Sequence, residues 1–107
     1  MTSQHGQQLE QALSEARMAI VIEYCPPAHA DADAVRAMAA SVRGKADAVG
    51  VVDNHLEIMM SAIATAALLR SEGVEPIVHI TTRDRNRIAL ISDVLGARAL
   101  GLRNFLC

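Results

Sequence analysis

Residues 19–27 read Ala-Ile-Val-Ile-Glu-Tyr-Cys-Pro-Pro, an apolar run that closes on one carboxylate and two prolines. Four apolar residues in succession predict a strand buried on both faces, as in a parallel sheet. Pro26 and Pro27 end its ladder because neither has a backbone donor. Ligands of parallel α/β folds sit outside the carboxyl ends of the strands, where Glu23 falls. A carboxylate in that place is paired, solvated in a cleft or partly neutral. From position alone, Glu23 is either a functional group or a satisfied structural acceptor.

The pattern repeats beyond this stretch. Leu9, Leu13 and Ala16 recur at helical spacing in 7–17, which predicts an amphipathic lead-in helix over the first 17 residues. Residues 18–107 then form one domain of alternating strands and helices. Strands are predicted at 18–24, 48–53, 76–81 and 103–107, with helices at 33–42, 56–70 and 87–99 between them. Asp31 or Asp33 would cap the first of these helices, and Asp84 is a candidate cap for the last. Gly73 stands where a left-handed helix cap is expected, and Pro76 at a strand's first residue, where proline is tolerated. The unit is (βα)₃β with right-handed crossovers. No glycine-rich fingerprint follows the first strand, which argues against a dinucleotide-binding Rossmann start.

Two α/β architectures fit: a small open sheet, and half of a (βα)₈ TIM barrel, whose full length is about 250 residues. A last strand without a covering helix would leave an apolar edge open, a liability for a lone sheet. The half-barrel is therefore the expected fold.

The chain's 107 residues allow a single modest core, and with one Phe, one Tyr and no Trp the packing falls to Ala, Val, Ile and Leu. A net charge of −2 without a Lys/Arg block speaks against nucleic acid. No segment approaches the roughly 18 apolar residues needed to cross a bilayer. Cys25 and Cys107 make no disulfide framework, so a reducing cytoplasm is expected.

The strand ends gather the chemistry. They offer Glu23, Tyr24 and Cys25 from the first strand, and Asp53, Asn54 and His55 from the second. The third adds His79, Thr81 and the run 83–87, and the fourth Asn104 and Cys107. Alternation places Ile77, His79 and Thr81 on one face, so His79 and Thr81 would look into a barrel mouth together. A core histidine bonded to a carbonyl is the competing reading. Arg83, Asp84 and Asn86 belong to a charged loop that either meets a ligand or is merely solvated. Ile58, Met59 and Met60 open an apolar helical stretch suited to core packing or partner contact. No CxxC or HxxxH pair pre-organises a metal, and no base can be assigned to activate Cys25.

The strings LEQALSEARMAIVIEYCPP, VVDNH and AALLRSEGVEPIVHITTRDRNRIALISDVLGARALGLRN resemble, in order, the flavin-dependent methylenetetrahydrofolate reductase family. The resemblance implies a (βα)₈ barrel binding FAD, or FMN, at the carboxyl ends of its strands. It implies reduction of methylenetetrahydrofolate to methyltetrahydrofolate, a step of one-carbon metabolism, with NAD(P)H or another electron donor. Glu23 matches the family's strand-one glutamate, the general acid toward the folate. His79, Thr81, Asp53 and Asn54 fall on segments that approach the flavin, and Arg83, Asp84 and Asn86 on a run assigned to substrate. The family's strand-four Gly-Asp motif would lie beyond Cys107. The chain is therefore expected to hold part of a site, completed by more of the barrel, a partner chain or a second copy. A non-catalytic half-barrel that self-associates is the alternative.

Overall fold

Four short strands hydrogen-bond side by side in the order in which the chain makes them. The computed structural model describes residues 7–107. Its strands are β1 (Val21–Tyr24), β2 (Ala48–Val51), β3 (Pro76–His79) and β4 (Asn104–Leu106), and its helices α1 (Gln8–Ser14), α2 (Ala32–Val42), α3 (Ala62–Ser71) and α4 (Arg87–Ala99). Every neighbouring pair is parallel, in the registers Val21↔Ala48, Val49↔Pro76 and Ile77↔Asn104. A doubly wound sheet reverses its strand order at a switch point; this sheet does not. The 1-2-3-4 order with its helices on one face is that of a (βα)₈ barrel, of which these strands make a part.

Burial shows which face carries the helices. Val49, Val51, Val78 and Ile80 pack with Val35 and Ala39 of α2, Ala62, Ala66 and Leu69 of α3 and Ala97 of α4. Small residues on the helices let them lie close to the strands, and Leu69 and Leu102 are the largest fully buried side chains among the described residues. The opposite face of the sheet is concave and open.

That open face corrects the reading of the first strand. Along β1, Ile22 and Tyr24 are half-buried, whereas Val21 and Glu23 are exposed. Continuous hydrophobicity suited burial on both faces, but only the helix-facing residues have a layer against them here. β2 alone is buried throughout.

The helix over 56–70 also needs correction, because α3 starts at Ala62. Asn54 takes a left-handed φ of 45° and its side-chain oxygen accepts from Met59 N at 2.9 Å. Met60 N donates to Pro27 O at 2.8 Å, and Ser61 Oγ then caps the helix by accepting from Ala64 N. Residues 54–61 are thus a pinned loop, and Leu56 and Ile58 on it stand almost fully exposed. Met60 does pack against the core.

The remaining boundaries hold within a few residues, except that the first six residues of the predicted lead-in helix lie outside the described residues. Asp31 caps α2 through Ala34 N at 2.9 Å. Asn86, not Asp84, caps α4 through Ala89 N at 2.8 Å. Gly73 has the expected positive φ, 80°. The lead-in helix buries Ala12 and leaves Leu13 exposed. Its Leu9 N donates at 2.6 Å to Glu75, a buried carboxylate that also accepts from Asn104 Nδ2. Glu75 thereby fastens α1 to the sheet at the amino ends of β3 and β4.

Candidate functional site

The concave face encloses a cleft of about 590 Å³ lined by Val21 and Glu23 of β1, Gly50 of β2, Ile77 and His79 of β3, and Asn104, Phe105 and Leu106 of β4, with Leu9 of α1 and Arg103 completing it. Parallel pairing explains the convergence. Glu23 is in register with Gly50, Gly50 with Ile77, and Ile77 with Asn104, so one row of side chains crosses the sheet. His79 lies two residues further along β3, and its imidazole folds back over Gly50. A Cβ on Gly50 would stand 2.8 Å from His79 Nε2. Apolar walls with a few convergent polar groups, here Glu23, His79 and Asn104, suit a small-molecule ligand.

Glu23 thus stands where position suggested, at the carboxyl half of β1 in a cleft. Among the described residues its carboxylate has no hydrogen-bond or ion-pair partner, and the residue is exposed. His79 shares the cleft with it.

Thr81 does not. β3 ends at His79, and Thr81 bonds to Asp53 instead of lining the cleft. Its amide donates to Asp53 Oδ2 at 2.8 Å and its hydroxyl at 3.1 Å. Asp53 itself is 1% exposed. Arg85 grips both of its oxygens, and also reaches Thr81 O at 2.8 Å and Asp93 at 3.0 Å. Burial pushes the Asp53 carboxyl upward, but the Arg85 hydrogen bonds, the Thr81 donors and the guanidinium charge together hold it below its ordinary value. The same bonds raise Arg85 against the opposing effect of burial. These groups form a clamp between the carboxyl ends of β2 and β3, past the last ladder pair Val51↔Val78.

Asn54 sits at the rim, its carbonyl accepting from Arg83 at 3.1 Å. Arg83 pairs with Asp84 at 3.0 Å, and both are exposed. With Asn54, His55, Leu56, Glu57 and Ile58 they surround a second hollow outside the main cleft. Asn86 is committed to capping α4. Cys25 and Cys107 are free and exposed.

Periodicity alone does not mark Gly50 or the partners of Glu75. A glycine inside an apolar strand was the available signal for the first, since it often marks a close approach. Arg85 was visible only as one charge in a run, because its partner lies 32 residues away.

The family model for methylenetetrahydrofolate reductase matches residues 8–107, from the lead-in helix to the last residue of the chain. The chain belongs to the methylenetetrahydrofolate reductase family. No curated protein matches it. A partial barrel of parallel strands agrees with membership of this reductase family, and no helix among the described residues is long and apolar enough to cross a membrane.

Proposed function

We propose that this chain carries the folate- and flavin-facing part of a methylenetetrahydrofolate reductase site in its concave face. The observation that carries the reading is the convergence of Glu23 and His79 in one cleft across the bare Cα of Gly50. Glu23 is the proton donor to the folate: its carboxylate is solvated, unpaired among the described residues and set among apolar walls. His79 presents an imidazole edge to the ligand plane, and Val21, Ile77 and Phe105 supply apolar contact. With no side chain at Gly50, the His79 ring lies down on the cleft floor and leaves the space above it open, so the residues present fit one face of an isoalloxazine ring. A flavin, FAD or FMN, held there would supply hydride chemistry toward the methylene group, with NAD(P)H or another donor as the source of electrons. Asp53 and Thr81 act on this site through backbone placement, because their polar atoms are bonded to each other and to Arg85. Arg83 and Asp84 stand at the rim, within reach of an extended substrate.

Flavin added to the purified chain and then freed of excess by gel filtration tests the binding half of this reading. A retained, perturbed visible band is expected, and its absence refutes a flavin site in this chain. For chemistry, in a protein with the complete barrel, Glu23→Gln is expected to keep flavin binding within twofold and reduction by the donor intact, while folate turnover falls by about 100-fold or more, the usual range for losing a general acid. Equal loss of both half-reactions would refute the role.

A second reading, a half-barrel that pairs with another copy of itself, is favoured by one observation. Among the described residues β1 and β4 are each paired on one side only. Ile20 and Val21 at one edge and Leu106 at the other are about half exposed. Two copies related by a two-fold axis could join β4 to β1 twice and close an eight-stranded ring. A molecular mass from light scattering separates a dimer from a monomer.

A further inference from the structure

We propose that Gly50 is a positioning residue: its missing side chain is the seat that holds the His79 imidazole down on the floor of the cleft. The proposal deepens the functional reading above and rests on it for the effect on ligand, but not for the placement of the ring. Gly50 is buried in the middle of β2. Its φ lies outside the left-handed region, so the backbone there does not require glycine. A glycine inside a strand costs stability relative to a residue with a side chain. What occupies the vacant space is the ring: Nε2, Cε1 and Cδ2 of His79 lie 2.8, 3.5 and 3.8 Å from the position a Cβ would take. The nearest of these is closer than a real Cβ tolerates, and no other neighbour crowds the position.

The consequence is directional. His79 lies beyond Gly50 toward the carboxyl ends of the strands, since Gly50 is in register with Ile77. A ring denied its seat must rotate away from β2, and the open direction is the cleft that a planar ligand would enter. Gly50 therefore determines both where the imidazole edge stands and how deep a ligand can settle beside Glu23.

Two readouts test the seat without any ligand. Nuclear Overhauser contacts are expected between the His79 ring and the Gly50 α-protons. Carbethoxylation of His79 by diethyl pyrocarbonate, followed by peptide mass mapping, is expected to run several-fold faster in Gly50→Ala, where Nε2 is expelled from its shelter. Absence of the contacts, or equal modification rates, overturns the proposal. A third readout is flavin affinity by fluorescence quenching. Gly50→Ala is expected to weaken it about tenfold in the native background and less than twofold in a His79→Ala background, where no ring remains to displace. Equal weakening in both backgrounds also overturns the proposal, because the alanine would then act directly. Should the native chain bind no flavin, the functional reading fails while the ring contacts and modification rates still decide the seat. The Gly50→Ala/His79→Ala double variant serves as the folding control.

Discussion

Arg85→Met is the substitution that most directly tests how the carboxyl ends of β2 and β3 are held. Methionine keeps much of the aliphatic stem and removes the guanidinium, leaving Asp53 a buried carboxylate with the two Thr81 donors and the more distant Asn54 amide. Removing one partner of a buried ion pair costs about 3–5 kcal/mol when the remaining charge is left uncompensated. Arg85 is 15% exposed, and Thr81 goes on stabilising the carboxylate. The loss expected here is therefore about 2–3 kcal/mol, below that range because compensation is partial. With a urea slope of about 1 kcal/mol/M for a small domain, the unfolding midpoint should fall by about 2–3 M. Circular dichroism in a urea series measures it. Asp53→Asn/Arg85→Met, which removes both charges, should recover more than half of the loss, since a buried polar pair can often be replaced at little cost. A midpoint shift under about 0.5 M, or a double variant no better than the single one, would refute the clamp as a source of stability.

The same variant makes a prediction about pH. Asp53 is depressed in the folded protein, so its contribution is present above its unfolded value of about 3.9 and is lost as pH falls through the folded value. Without Arg85, burial is no longer outweighed by the guanidinium and that acid-labile contribution shrinks. The stability gap between native chain and variant should therefore be widest near neutrality and narrow below about pH 4.

Three further perturbations have defined outcomes. Gly101→Ala puts a Cβ at a φ of 82° and 2.7 Å from the Arg70 guanidinium carbon, so a loss of about 1–2 kcal/mol is expected in thermal or urea unfolding. Asn86→Ala removes the cap of α4 and should cost about 1 kcal/mol, read as a lower melting temperature with little change in folded helicity. Glu75→Ala frees Leu9 N and Asn104 Nδ2, and should release α1 from the sheet; limited proteolysis near residues 15–18 is expected to accelerate while the sheet core stays protected.

Much of the site was legible because strand ends are legible. Apolar runs closed by Glu23, Asp53 and Thr81 marked where the chain leaves the sheet, and parallel order alone sends those ends to one side of the molecule. What alternation could not foresee was where β3 stops. Period-two counting places Thr81 beside His79, but the ladder ends at His79 and Thr81 bonds to Asp53 outside the cleft. The loop 54–61 was misread for a related reason. Its apolar residues are compatible with a helix, but the Asn54 bond to Met59 N, the tie of Met60 N to Pro27 O and the cap at Ser61 delay α3 to Ala62.

By itself, the sequence determined the (βα)₃β rhythm, the parallel strands, the α4 boundaries, the glycine at the end of α3 and the placing of Glu23 near a strand end. Those follow from periodicity, proline and glycine geometry, and capping, which act over a few residues. Only the tertiary structure decided that β1 has one open face, that Arg85 spends its charge on Asp53, and that Gly50 and His79 share one small volume. Each of these joins residues on different strands or loops. Its energy comes from burial and from partners brought close by the sheet, and no local pattern in the chain encodes that proximity.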